Sequence, residues 1–113
     1  GTPGGSTIIT TVAQIVCNVI DHGMSAGEAV ASPRFHHQWL PDTIFCEPGA
    51  LDPAVEAGLK ARGHAMKLRR PIGDAQVIEI RDGMVCGAPD PRAGGSAGVT
   101  RGIETKRPDR KER

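Results

Sequence analysis

The stretch Gly1-Thr2-Pro3-Gly4-Gly5-Ser6 holds the residues best suited to chemistry. Two adjacent glycines ahead of an amphipathic run let the backbone take conformations closed to other residues. They also leave N–H groups beside the positive end of the helix that follows. Such groups suit a phosphate, a carboxylate or an oxyanion developing in a transition state. No Gly-Lys-Ser/Thr follows, so this is not a nucleotide-binding P-loop. On composition alone, a tight turn explains the same residues.

The other candidates are weaker. His36 and His37 are adjacent, and in an extended segment neighbouring side chains point to opposite faces. Even with Cys46 and His64 in reach, a shared metal ion is not expected; hydrogen-bonded imidazoles are, with Trp39 in the core. Asp90 and Arg92 flank Pro91, a pattern for an internal ion pair or a backbone cap. Asp74 precedes a strand and reads as a turn residue. Ser6 and Ser96 lack a nucleophile's context. Cys17, Cys46 and Cys86 are far apart and form no Cys-x-x-Cys, so three buried thiols are expected. No cofactor is expected either.

Several elements must position these groups. Ile8, Val12, Ile15, Val16, Val19 and Ile20 recur every three or four residues and predict a helix over 6–21, apolar on one face. Gly23 stops it. Ser25 and Glu28 form a capping box for a short second helix that ends before Pro33. Residues 34–42 read as irregular, and 43–47 as a strand. Asp52-Pro53 starts a third helix that runs to Gly63. Residues 64–68 are a weak strand. Residues 75–81 and 84–88 are strands joined by the Asp82-Gly83 hairpin turn. The order predicts an α+β fold with helices on one face of a mainly antiparallel sheet.

Composition sets the outer bounds. A chain of 113 residues is one domain at most. Fourteen Lys/Arg against thirteen Asp/Glu, with three aromatic residues, give no support for a nucleic-acid groove. The apolar run from Ile8 to Ile20 is too short and too interrupted to span a membrane, which takes roughly twenty apolar residues, and no signal peptide is read. Residues 100–113 hold six Lys/Arg and three Asp/Glu, so this end carries +3 and the rest −2. Residues 99–113 are expected to be a disordered basic tail.

The glycine segment and the run after it, through Val12, resemble the small subunit of the γ-glutamyltranspeptidase (γ-glutamyltransferase) family. The similarity continues in order through Asn18-Val19-Ile20-Asp21-His22-Gly23-Met24, Glu28-Ala29-Val30 and Pro33-Arg34-Phe35-His36-His37-Gln38-Trp39-Leu40-Pro41-Asp42. It closes with Gly73-Asp74-Ala75-Gln76 and Gly87-Ala88-Pro89-Asp90-Pro91-Arg92, and covers residues 1–98. The resemblance implies the four-layer αββα fold of N-terminal nucleophile hydrolases, of which this chain would supply the C-terminal part of the small subunit.

It also implies a reaction. A threonine exposed by self-cleavage attacks a γ-glutamyl amide, as in glutathione, with its own α-amine as base. Water or an acceptor amine then resolves the ester. The Gly4 and Gly5 N–H groups would form the oxyanion hole and touch the substrate there. Losing one such donor raises the barrier by about 2.7–4 kcal/mol, and the role that the resemblance implies predicts a large loss of rate in Gly5→Pro, which lacks that N–H.

This chain departs from the family pattern. The nucleophilic threonine and the residues that grip the substrate's α-carboxylate and α-amine are expected upstream of Gly1, and Thr2 is not that nucleophile. The implied partners are therefore the large subunit, the N-terminal part of the small subunit and a γ-glutamyl substrate. A periplasmic or secreted location is expected for the parent enzyme. The alternative expectation is a non-catalytic truncated remnant, prone to associate through uncovered apolar surface.

Overall fold

The computed structural model describes residues 1–98. The basic tail expected over 99–113 lies outside the described residues. Eight elements follow in order: α1 (Thr7–Ile20), α2 (Ala26–Ala31), β1 (Phe35–His36), β2 (Ile44–Cys46), α3 (Pro53–Ala61), β3 (Met66–Leu68), β4 (Gln76–Arg81) and β5 (Met84–Pro89). The class is α+β.

Local chemistry sets the boundaries. The Ser25 hydroxyl accepts from the Glu28 N–H while the Glu28 carboxylate accepts from the Ser25 N–H, which completes the capping box of α2. Asp52 caps α3, with Pro53 at its first position. Asp82 and Gly83 both take positive φ, as a two-residue turn matched to strand twist requires.

The strands form two sheets. In the first, β1 pairs antiparallel with β2 (Phe35 opposite Cys46), and β2 pairs parallel with β3 (Ile44 opposite Met66). In the second, β4 and β5 form the antiparallel hairpin, from Gln76 opposite Pro89 to Arg81 opposite Met84. Antiparallel pairing thus dominates. β1 lies in the stretch read as irregular. Two residues give no periodicity, and the strand owes its place to partners. The Gln14 side chain closes its outer edge, donating to the Phe35 carbonyl at 2.7 Å and accepting from the Phe35 N–H at 3.0 Å.

The core is small and rich in alanine. Ile15, Ala26, Ala29, Val30, Ala75 and Ala88 are buried together, with Val19, Met24 and Val77 packed against them. Short side chains let α2 approach the hairpin closely. The α1 face differs from expectation. Its buried residues are Thr7, Thr11 and Ile15, whereas Ile8, Ile9, Val12, Val16 and Ile20 are exposed. The helix turns its threonine stripe inward because the neighbouring backbone comes close: a methyl on Gly73 would lie 3.1 Å from Thr11 Oγ1. On the hairpin, Ile78 and Ile80 are each 73% exposed, on the face away from α2. Trp39 is 75% exposed, not in the core; it sits at φ 73° in an open loop. Of the thiols, only Cys46 is buried, while Cys17 on α1 and Cys86 on β5 are exposed. Each follows the side of its element that the packing leaves uncovered.

A charged network lies under this core. Arg34 is buried and pairs with buried Asp90 at 2.8 Å. The Arg34 guanidinium also donates to the Ile72 and Val30 carbonyls, at 2.7 Å each. Glu47 accepts from the Arg34 and Ile72 N–H groups at 2.9 and 2.8 Å, and from the Arg92 fork. Arg92 further donates to Asp90 and to the Val30 and Ser32 carbonyls. Asp90 caps the Ala75 N–H at 2.7 Å. The ion pair expected between Asp90 and Arg92 is therefore present, as part of a four-charge set.

Burial opposes ionisation of Glu47, but the Arg92 fork and the Ile72 and Arg34 N–H groups outweigh it and hold the carboxyl below its usual range. For Asp90 burial is again outweighed, here by the Ala75 and Arg92 N–H groups and then the two guanidiniums. Burial, aided by Glu56, pushes the Cys46 thiol up.

Asp90→Ala leaves Arg34 buried and unpaired, and we expect it to cost about 3–5 kcal/mol, read as a fall in the urea midpoint. Because both carboxyls are depressed in the folded state, their contribution is complete above the unfolded carboxyl range of about 4. It is lost as pH falls through the lower folded values; a stability profile flat through that acid range would contradict this. A thiol reagent near neutral pH should modify Cys17 and Cys86 readily and Cys46 slowly. Equal rates for all three would show Cys46 to be accessible.

Candidate active site

Gly4 and Gly5 sit immediately ahead of α1, at φ 136° and 57°. Only glycine takes the first conformation without strain, and a methyl on Gly4 would also collide with Thr7 Oγ1. Gly5 has open space around it, so there the constraint is φ alone. The two carbonyls are tied into the helix. Gly4 O accepts from the Thr7 N–H at 3.2 Å and from the Thr7 hydroxyl at 3.0 Å, and Gly5 O accepts from the Ile8 N–H at 3.1 Å.

The two N–H groups differ from their carbonyls. Among the described residues neither donates to a protein acceptor, and both glycines are exposed. Ser6, at the N-cap, makes no side-chain cap bond, and the first turn of α1 carries no acidic residue. The positive end of this fourteen-residue helix is therefore not neutralised from within its own first turn. Chemically the turn presents two exposed amide donors at a positive helix end, an arrangement that favours an anionic oxygen.

The segment before the turn is anchored by main chain. The Gly1 nitrogen donates to the Gln76 carbonyl at 2.8 Å, and the Gln76 N–H returns the bond to Gly1 O at 2.8 Å. This reciprocal pair is the closely bonded unit of an antiparallel ladder. Asp74 behaves as a turn residue, its carboxylate accepting from the Gln76 side chain at 3.0 Å beside Gly73 at φ 74°.

The remaining candidates do not converge on the glycine turn. His36 is buried, with Nδ1 2.7 Å from Thr10 Oγ1 and Nε2 2.8 Å from Gln38 Oε1. His37 points out and meets Asp42 at 3.1 Å. The two rings thus part to opposite faces. Among the described residues no three His, Cys, Asp or Glu side chains gather as a metal site would require. No described helix is long and apolar enough to cross a membrane. Ser96 is exposed in the segment after β5. Sequence reasoning missed the supporting roles of Thr7, Thr11 and Gln14. The i, i+4 threonine pair ahead of Ile15 was the available signal for a second inward stripe.

Comparison with known proteins supplies the frame for this geometry. The family model described as Gamma-glutamyltranspeptidase matches residues 1–100. The glutathione hydrolase proenzyme of Escherichia coli (strain K12) is 48% identical over 94 residues, covering 82% of this chain and 16% of that protein. The glutathione hydrolase proenzyme of Pseudomonas aeruginosa is 40% identical over 98 residues, covering 84% and 18%. The solved γ-glutamyltranspeptidase of Pseudomonas nitroreducens superposes with a TM-score of 0.81 at 39% identity, over 90% of this chain and 54% of that one. The chain thus spans about a sixth of the length of the two proenzymes.

Proposed function

The chain belongs to the γ-glutamyltranspeptidase family, whose solved members have the N-terminal nucleophile hydrolase fold, and we propose that it is part of an enzyme that transfers or hydrolyses γ-glutamyl groups. In this reading a threonine on another part of the protein attacks the γ-glutamyl amide carbonyl, with glutathione as a donor. The Gly4 and Gly5 amides receive the charge that develops on the carbonyl oxygen. Their contribution is made in the transition state more than in the ground state, so it acts on kcat.

One observation carries the reading: at a helix N-terminus, two adjacent exposed glycines have their carbonyls tied down while their amides, among the described residues, have no protein acceptor. The rest of the enzyme is the partner. The exposed apolar faces of α1 and of the hairpin, with Ile9, Ile20, Ile78 and Ile80 largely uncovered, support further layers packed on both. An inert remnant would show no turnover even when joined to those layers.

The test uses the full-length protein that carries this segment and a chromogenic γ-glutamyl anilide. Gly4→Ala forces the turn off Thr7 and should lower kcat by about 10²–10³-fold with little change in KM. Gly5→Ala keeps its N–H and meets no neighbour, so its effect should be smaller, limited to strain of roughly 1–2 kcal/mol at positive φ. Gly5→Pro is less informative, because it removes the donor and also drives φ from 57° toward about −65°. Wild-type kcat in Gly4→Ala would end the oxyanion assignment.

A further inference from the structure

The Pro3–Gly4 peptide has a holder that the reaction scheme does not mention. The Thr2 hydroxyl donates to the Pro3 carbonyl at 2.8 Å. It also accepts from the Asp74 N–H at 2.8 Å. The second bond fixes the role of the first: with its oxygen engaged by an N–H, the hydroxyl proton is directed to Pro3 O. The Pro3 carbonyl and the Gly4 N–H belong to one planar trans peptide unit and point in opposite directions. Holding the carbonyl on one side therefore aims the Gly4 N–H to the other.

Asp74 is a firm support for this hydroxyl. Its loop is pinned on both flanks by the charged network, at Ile72 through Arg34 and Glu47 and at Ala75 through Asp90. Between them the absence of a side chain at Gly73 leaves room for the threonine: a methyl there would lie 2.9 Å from Thr2 Oγ1. The reciprocal Gly1–Gln76 bonds hold the residue before Thr2 in register.

We infer that Thr2 is a positioning residue, whose side chain fixes the plane of the Pro3–Gly4 peptide and so aims the Gly4 amide at the reacting oxygen. This rests on the oxyanion reading above. Thr2 touches no substrate in this scheme. It acts through the peptide that does, and the network acts through Thr2.

The test compares Thr2→Val, which keeps the shape and loses the hydroxyl, with Thr2→Ser, which keeps it, in the full-length mature enzyme. Rates are taken per titrated active site. Thr2→Val should lower kcat by on the order of 10–10²-fold, the scale of a small misplacement of a reacting group. KM for the anilide should stay within about threefold. Affinity for a γ-glutamyl boronate, a tetrahedral mimic, should fall in parallel with kcat. Thr2→Ser should restore both.

If Thr2→Val does not mature, Thr2→Ala lacks the same hydroxyl without added apolar bulk and carries the same expectation. A Thr2→Val enzyme with wild-type kcat and boronate affinity, beside an impaired Gly4→Ala, overturns this inference and leaves the oxyanion reading standing. An unimpaired Gly4→Ala overturns the oxyanion reading itself. Loss of mature protein with unchanged kcat per site, or a rise in KM alone, also overturns the positioning role.

Discussion

Two guanidiniums and two carboxylates beside a small alanine-rich core, all buried but the partly exposed Arg92, are the constraint on which this structure depends. Arg34, Glu47, Asp90 and Arg92 sum to zero charge, and each ion makes further bonds to backbone groups. That satisfaction matters more than the ion pairs themselves. Removing charges from water costs several kcal/mol per ion, and only close geometry with filled hydrogen-bond positions offsets it. Among the described residues the Arg34 Nε is the one polar side-chain atom of the set that lacks a partner. The network joins the end of α2, the start of β1, the end of β2, the loop before β4 and the segment after β5. A core cluster of six residues, four of them alanine, could not hold these five places in one arrangement by burial alone.

Order at the glycine turn follows from order in this network. The loop at 72–75 is bonded from below by charged side chains, and from above it presents one N–H to Thr2. The turn itself holds its carbonyls and leaves its donors exposed. In the proposed oxyanion role, donors aimed beforehand need no reorganisation during the reaction, which is where the electrostatic advantage of such sites arises. A positive-φ glycine turn without this scaffold would sample several peptide orientations. On the proposed reading, rigidity is borrowed from a largely buried site that touches no reacting atom.

Much of this was legible in the sequence, where local rules act alone. The Ser25–Glu28 box, the Asp52-Pro53 start and the Asp82-Gly83 turn are each set within a few residues, and all stand as read. The glycine turn was legible because adjacent glycines mark a backbone that leaves the ordinary regions, and φ 136° at Gly4 is open to glycine alone without strain. Other features depended on tertiary context. Apolar periodicity placed α1 but not its orientation, because the close backbone at Gly73 meets Thr11 and that at Gly4 meets Thr7. Trp39 was misplaced into the core because aromatic character says nothing about a loop with positive φ. β1 was invisible because Gln14, twenty-one positions away, supplies half of its bonding. Asp90 and Arg92 were read as a pair, whereas Arg34 and Glu47 complete the set from distant segments.

The Gln14 clasp on β1 has a consequence for how the molecule meets its own kind. In the three-stranded sheet, β1 and β3 are the outer strands, and outer strands invite another chain to add to the ladder. On the β1 flank a side-chain amide already occupies the Phe35 backbone groups, so an incoming strand finds that position filled. Sheet growth by strand addition is left to the β3 flank. There β3 is three residues long and carries Lys67 at its centre, and a short outer strand with a lysine is a poor template for further pairing.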